Sequence, residues 1–266
     1  MTAVLSSFFL SDVYDDDVFL FPFFFDGKPL SGIFCLLSTR NAGSMDVQET
    51  ERRHAFLKKN GVEPAKTYAC YQTHSQKVAV IDTVDENHFS KSLSDADGLV
   101  TGAGCDVHVY LSVTVADCLP VYVFDTETGA FGIVHSGWKG TGIVLNALKS
   151  MKVETHPETV CVVLGPCICG NCYHVEEERR RVFEVQFDSI ERRMPSEYPL
   201  GNVVKGDCLD LQAANARLLA NAGVRNIAYC KNCTFTDERL GSFRREGRDF
   251  TKMMAVIGRN NRVHSL

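Results

Sequence analysis

The sequence predicts an α+β chain, a single domain of mixed β-sheets with flanking helices. Three observations carry that expectation. Strand-like runs follow one another between residues 67 and 136 with no helical period among them. Helical periods come before and after that stretch, without the strict alternation of a doubly wound parallel sheet. The 266 residues, 45% hydrophobic and 23% charged, supply a core that needs no disulfide or metal staple. No internal repeat or low-complexity linker divides the chain, so one domain over residues 1–266 is expected, with residues 1–30 as a variable N-terminal edge.

That edge is acidic, then Phe-rich (Phe19, Phe21, Phe23, Phe24, Phe25), and Pro22 argues against a central strand there. A β-rich run follows at Ile33–Ser38. Asp46 reads as a helix start, with Glu49 three positions on as its capping box and Gly61 as its stop. Strand-like runs continue at Thr67–Gln72, Lys77–Asp82, Val107–Val115, Val121–Asp125, Phe131–Ser136, Thr159–Gly165 and Asn226–Cys230. Helical periods occupy Ile143–Met151, Val175–Ile190 and Leu209–Ala222, the last closed by Gly223.

Charge and cysteine usage narrow the function. Lys and Arg total 28 against 33 Asp and Glu, a net charge of −5, so a nucleic-acid partner is not expected. No uncharged apolar run reaches the ~18 residues of a membrane span. The most apolar run, Val18–Phe25, is bracketed by Asp15, Asp16, Asp17 and Asp26. No basic residue precedes Lys28, so the N-terminus does not read as a signal peptide. The eleven cysteines, an odd number, then read as reduced thiols in a cytoplasmic protein.

Four segments are polar where a plain core would not be. They are Tyr71–Ser75, Val115–Pro120, His135–Gly142 and Leu164–Tyr173, each at a strand end. A lone His or Cys at such a place is more often a packing residue. The loop at 137–142 lacks the spacing of a Walker-type phosphate loop but can present backbone N–H groups to an anion. Cys167-x-Cys169-x-x-Cys172 with Cys230-x-x-Cys233 suggests a structural zinc site, though the spacing is irregular. His156-Pro-Glu158 followed by Pro166-Cys167 mimics a zinc deaminase signature, but Gly170 stands where its second Cys belongs.

Read together, the motifs form an ordered set. It comprises Ser38-Thr-Arg40-Asn-Ala-Gly43, Gln72-Thr-His74, Asp95-Ala-Asp97-Gly-Leu-Val-Thr101, Ala116-Asp-Cys118-Leu-Pro120, His135-Ser-Gly-Trp-Lys-Gly140 and Gly165-Pro-Cys167. Leu209–Asn215, Cys233-Thr and Ser242-Phe-Arg-Arg245 complete it. The set resembles the multicopper polyphenol oxidoreductase (laccase-domain) family, whose members are regarded as purine nucleoside phosphorylases. The resemblance runs from about residue 30 to the C-terminus. It implies a fold similar to cysteine hydrolases of the cytotoxic necrotising factor type. It implies a metal site from His74, Cys118 and His135, usually holding zinc. It also implies phosphorolysis of adenosine, inosine and methylthioadenosine, with some adenosine deamination. Purine nucleoside and phosphate are the expected partners. Ser75, Lys139, His174 and Phe243 depart from the family's usual Gly, Arg, Glu and Tyr, which bears on substrate preference more than on the metal.

The residue chemistry separates these activities. A four-copper oxidase needs paired His-x-His motifs, and the eight histidines form none. Two His and one Cys match a blue-copper triad, yet no axial Met stands beside them, so copper is the alternative to zinc. Three protein ligands and an open position are the catalytic zinc pattern, able to activate a water. For phosphate or ribose contacts the candidates are Arg40 and Arg245. Asp117 is a candidate either to orient a ligand His or to act as a base. Cys118 with His135 as base also describes a thiol hydrolase, the rival reading, and a non-enzymatic metal-binding protein is the third.

Overall fold

Apolar residues fall on both faces of most long strands, and the chain accommodates them by stacking two sheets between helices. The structure, a computed structural model, describes residues 4–10, 16–21, 23–82, 95–104, 108–193 and 199–259. A seven-stranded mixed sheet runs in the order β1 (Val4–Phe8), β15 (Asn226–Cys230), β12 (Val160–Leu164), β10 (Leu119–Asp125), β11 (Phe131–Ser136), β8 (Gly98–Thr101) and β7 (Val78–Ile81). A five-stranded sheet runs β2 (Val18–Phe21), β5 (Ile33–Ser38), β16 (Met253–Arg259), β9 (Tyr110–Val115) and β6 (Thr67–Ala69). Two short hairpins, β3 (Phe24–Phe25) with β4 (Lys28–Pro29) and β13 (Val204–Lys205) with β14 (Cys208–Leu209), complete the strands described. The helices are α1 (Thr50–Lys59), α2 (Ile143–Ser150), α3 (Glu177–Glu191), α4 (Leu211–Asn221) and the short α5 (Phe243–Glu246).

The period of two along each strand sorts side chains into three apolar layers. Met253, Ala255 and Ile257 of β16 join Tyr122 of β10 and Cys161 and Val163 of β12 in the layer between the sheets. Met254 and Val256 of β16 face the other way, against Phe56 and Leu57 of α1. Val121 and Val123 of β10 and Val160 and Val162 of β12 pack against α2, α3 and α4. Burial on both faces is why these strands read as nearly continuous hydrophobic runs.

Most expected elements appear within a few residues, and the differences have local causes. Ile33–Ser38, Phe131–Ser136 and Asn226–Cys230 are strands over those same residues. The expected strand Thr67–Gln72 stops at Ala69 because the Gln72 amide takes over the ladder's role. Its Oε1 accepts from Thr114 N–H at 2.7 Å and its Nε2 donates to Thr114 O at 2.8 Å. Asp46 does not start α1. Its carbonyl accepts from Glu49 N–H in a turn and its carboxylate is taken by Lys252, so the helix begins at Thr50 without a capping box. Gly61 closes α1 as expected. It adopts φ +72° and its N–H donates to Lys58 O, while Val62 N–H donates to Leu57 O, a Schellman arrangement. Helix α4 starts two residues later than expected, with the Asp210 side chain accepting from Ala213 N–H as its cap. The Phe-rich β2 lies at a sheet edge. Pro22 and Val107, used in the sequence reading, lie outside the described residues.

Candidate functional site

The chain crosses repeatedly between the two sheets, and two of the crossings carry site residues. The first runs from β6 to β7 through residues 70–77; the second runs from β9 to β10 through Ala116, Asp117 and Cys118. Both of these crossings include unusual backbone. His74 has φ +60° and Asp117 φ +80°, the left-handed region that side chains other than glycine seldom adopt. His135 comes from β11 beside β10, its backbone in register with Pro120.

These elements bring the ligating atoms of His74, Cys118 and His135 within 4.8 Å of one another. The two imidazole rings lie edge to face, 4.9 Å between centroids. Asp97, fully buried just before β8, organises the group. Its Oδ1 accepts from His135 Nδ1 at 2.9 Å and from His74 N–H at 3.0 Å; its Oδ2 accepts from Ser75 N–H at 2.6 Å and Ser75 Oγ at 2.8 Å. Burial works to raise the Asp97 carboxyl, but the His135 hydrogen bond, the Ser75 N–H and hydroxyl and the His135 charge hold it far below the usual range. With Nδ1 engaged, His135 offers Nε2 to the site, the usual carboxylate–histidine arrangement of metal ligands.

The thiol is activated. Burial opposes ionisation of Cys118, yet the charge and hydrogen bond of His135, and those of His74, bring it down to about 6. His135 is the counterpart: against burial, Cys118 and Asp97 push it up to about 9. Gly137 permits the approach of these groups, since a Cβ there would stand 2.9 Å from Cys118 Sγ and 3.3 Å from His74 Cδ2. Two imidazoles and a thiolate on three rigid segments fit a tetrahedral Zn²⁺ with one open position.

The triad lines a cavity of about 420 Å³. Ile168, Trp138, Tyr173, Phe243 and Phe250 give it apolar and aromatic walls, and Arg179, Arg244 and Lys252 bring positive charge. The Arg179 guanidinium stacks 4.1 Å over the Trp138 ring, and its Nε is buried without a hydrogen-bond partner. Arg244 sits 5.0 Å over Tyr173 and donates from Nη1 to His174 O at 2.9 Å.

The arginines expected from sequence are elsewhere. Arg245 turns away from the cavity, its guanidinium donating to the carbonyls of Thr234, Phe235, Asp237 and Leu240 and to Glu246. Arg40 pairs with Glu246 at 3.5 Å and is half exposed. Neither lines the cavity. Asp117 does line it, but its carboxylate is engaged: Oδ1 accepts from Thr234 Oγ1 at 2.6 Å and Oδ2 from Arg244 N–H at 2.7 Å. It bonds neither ligand histidine. Asp97 does that, from within the Asp95–Thr101 motif, where no spacing distinguishes it from Asp95. Arg179 carried no sequence signal, because it lies in an ordinary charged run at the start of α3.

Residues 39–260 match a family model described as multi-copper polyphenol oxidoreductase laccase. A protein of Corynebacterium glutamicum named purine nucleoside phosphorylase Cgl2154/cg2365 is 32% identical over 191 residues, 70% of this chain and 72% of the relative. A protein named adenosine deaminase RL5, from an unknown prokaryotic organism, is 30% identical over 197 residues, 68% of this chain and 71% of its own. Among solved structures, YlmD from Geobacillus stearothermophilus superposes with a TM-score of 0.72 at 26% identity, covering 91% of this chain and 97% of that one.

Proposed function

Because the chain belongs to the multi-copper polyphenol oxidoreductase laccase family, whose relatives here carry purine nucleoside phosphorylase and adenosine deaminase names, we propose that it is a zinc-dependent purine nucleoside phosphorylase. Adenosine, inosine and methylthioadenosine are its proposed substrates, with phosphate as the co-substrate and adenosine deamination as a side activity. One observation carries the reading: a His₂Cys centre, two arginines stacked on aromatic rings and an apolar, aromatic wall share one cavity. The absence of any His-x-His pair speaks against a four-copper oxidase, so copper remains only the alternative occupant of the same three ligands. Zinc there would supply a Lewis-acidic position on His74, Cys118 and His135.

The chain's own residues do the rest. Arg179 and Arg244 hold phosphate, a role the sequence alone gave to Arg40 and Arg245; guanidinium forks match phosphate oxygens. Their aromatic supports fix them in place, so little side-chain freedom is lost on binding. Tyr173, Phe243 and Phe250 offer faces for a purine. A phosphate oxygen then bonds to ribose C1′ as the C1′–N9 bond breaks and its electron pair leaves with the base. Asp117 positions Arg244 through its backbone N–H rather than acting as a base. The test is adenosine with and without phosphate, followed by product chromatography. Ribose 1-phosphate and adenine, formed only with phosphate, support the reading. Inosine alone reduces the activity to deamination; no product from any nucleoside overturns it.

A second reading rests on the Cys118, His135 and Asp97 series, which also has the order of a thiol hydrolase triad. Stoichiometric metal on Cys118 excludes it, since a metal-bound thiolate is not a free nucleophile.

A further inference from the structure

Outside that centre, Cys169, Cys172 and Cys233 bring their sulfur atoms within 4.8 Å of one another. They come from two loops far apart in sequence. Cys169 and Cys172 lie in the loop after β12, Cys233 in the segment after β15, and these neighbouring strands are parallel, so both loops leave the same sheet end. Cys167 and Cys233 form an isolated parallel bridge, with Thr234 N–H donating to Cys167 O at 3.1 Å. The first loop folds back tightly: Cys172 N–H and Tyr173 N–H both donate to Cys169 O, at 2.9 and 3.0 Å. That turn aims the Cys169 and Cys172 thiols at Cys233.

The surroundings suit a thiolate at Cys233, while the hydrogen bond to Cys233 pushes the Cys169 thiol up and burial pushes the Cys172 thiol up. Cys169 N–H donates to Cys233 Sγ at 3.2 Å. The Cys169 thiol, with the backbone N–H groups of Cys169, Thr236 and Phe235, holds the Cys233 thiol below its ordinary value against the effect of burial. Backbone N–H groups aimed at sulfur are what a metal-bound thiolate requires around it. Tetrahedral zinc with Zn–S near 2.3 Å separates its sulfurs by about 3.8 Å, within the 4.8 Å limit that the three sulfurs keep. Cys233 is buried while Cys169 and Cys172 are half-buried, which leaves a fourth position towards solvent for water.

We infer that Cys169, Cys172 and Cys233 form a second metal site, for a thiophilic d¹⁰ cation with Zn²⁺ foremost, which cross-links the loop after β12 to the segment after β15. The site stands independently of the nucleoside reading. Its position gives it a purpose: Ile168 and Tyr173, on the first loop, line the cavity, and Thr234, on the second, holds Asp117. The cross-link therefore fixes the cavity wall from behind.

The full-length Cys118→Ala protein, purified without oxygen and stripped of metal, removes the other centre's thiolate. Titration with Co²⁺ is expected to give a sulfur-to-cobalt charge-transfer band saturating at one equivalent and bleached by one equivalent of Zn²⁺. Adding Cys169→Ser and Cys172→Ser should abolish the band, whereas Cys208→Ser, in the neighbouring His174–Asp207–Cys208 group, should leave it. Should the combined variant fail to fold, Cys172→Ser alone, at a half-buried position, should weaken Co²⁺ binding at least about tenfold, since even outer-shell changes cost that much. No band in Cys118→Ala, a band that survives Cys172→Ser unweakened, or one lost with Cys208→Ser overturns the assignment. So does a mass two hydrogens short in the anaerobic protein, which would mean a disulfide.

Discussion

Asp97 is buried and charged, and both of its oxygens accept hydrogen bonds from the segment that carries His74 or from the His135 ring. Asp97→Asn should therefore act twice. It should lower stability by about 1.5–3 kcal/mol, as expected for hydrogen bonds to a charged group, and weaken metal binding by about 10–100-fold. Its pH signature follows from the depressed carboxyl. The stabilisation is complete above the ordinary Asp value near 3.9 and fades as pH falls through the lower folded value. Denaturant unfolding at several pH values should show a gap between wild type and Asp97→Asn that is full at pH 7 and closes in strong acid. A constant gap would mean that the charge is not responsible. Gly137 gives a second expectation. Gly137→Ala places a methyl against Cys118 Sγ and His74, so metal content should fall while circular dichroism is unchanged. Full metal occupancy in that variant would show that the three ligands are not packed as described.

Helix α5 shows how adjacent arginines divide their work. It has only four residues, capped by Ser242, whose hydroxyl accepts from Arg245 N–H. Arg244 leaves it towards the cavity, and Arg245 leaves it towards four carbonyls of residues 234–240. Arg245→Ala should cost about 2–4 kcal/mol, because it strands several carbonyls at once. Arg244→Ala should change stability by less than about 1 kcal/mol and raise the phosphate KM about ten- to hundredfold, the loss of a charged hydrogen-bond donor. Thermal unfolding and phosphate-dependence curves of both variants check this. Equal effects on stability would contradict the division. The sequence could not make it, since the two residues share a motif and differ only in direction.

The molecule rests on three apolar layers built by two sheets and four helices, and none of these layers requires metal. Chelation of the wild-type protein should remove activity and lower the melting temperature by the binding linkage alone, while far-UV circular dichroism and cooperative unfolding persist. Collapse of secondary structure on chelation would show that metal builds the fold. No helix among the described residues is long and apolar enough to cross a membrane.

Features with a local cause are legible in the order of residues. Short, nearly continuous apolar runs mark Phe131–Ser136 and Asn226–Cys230, and left-handed glycines mark the ends of α1 and α4 at Gly61 and Gly223. The ordered motifs also singled out His74, Cys118 and His135, which the fold brings together. Tertiary structure alone decided the rest. It chose Asp97 over Asp117 as the partner of His135, placed Arg179 and Arg244 in the cavity in place of Arg40 and Arg245, and selected Cys169, Cys172 and Cys233 from the two cysteine clusters that the spacing had already paired. The reason is that side-chain direction and long-range proximity come from chain crossings between sheets and from loops leaving parallel neighbours, which join segments far apart in sequence.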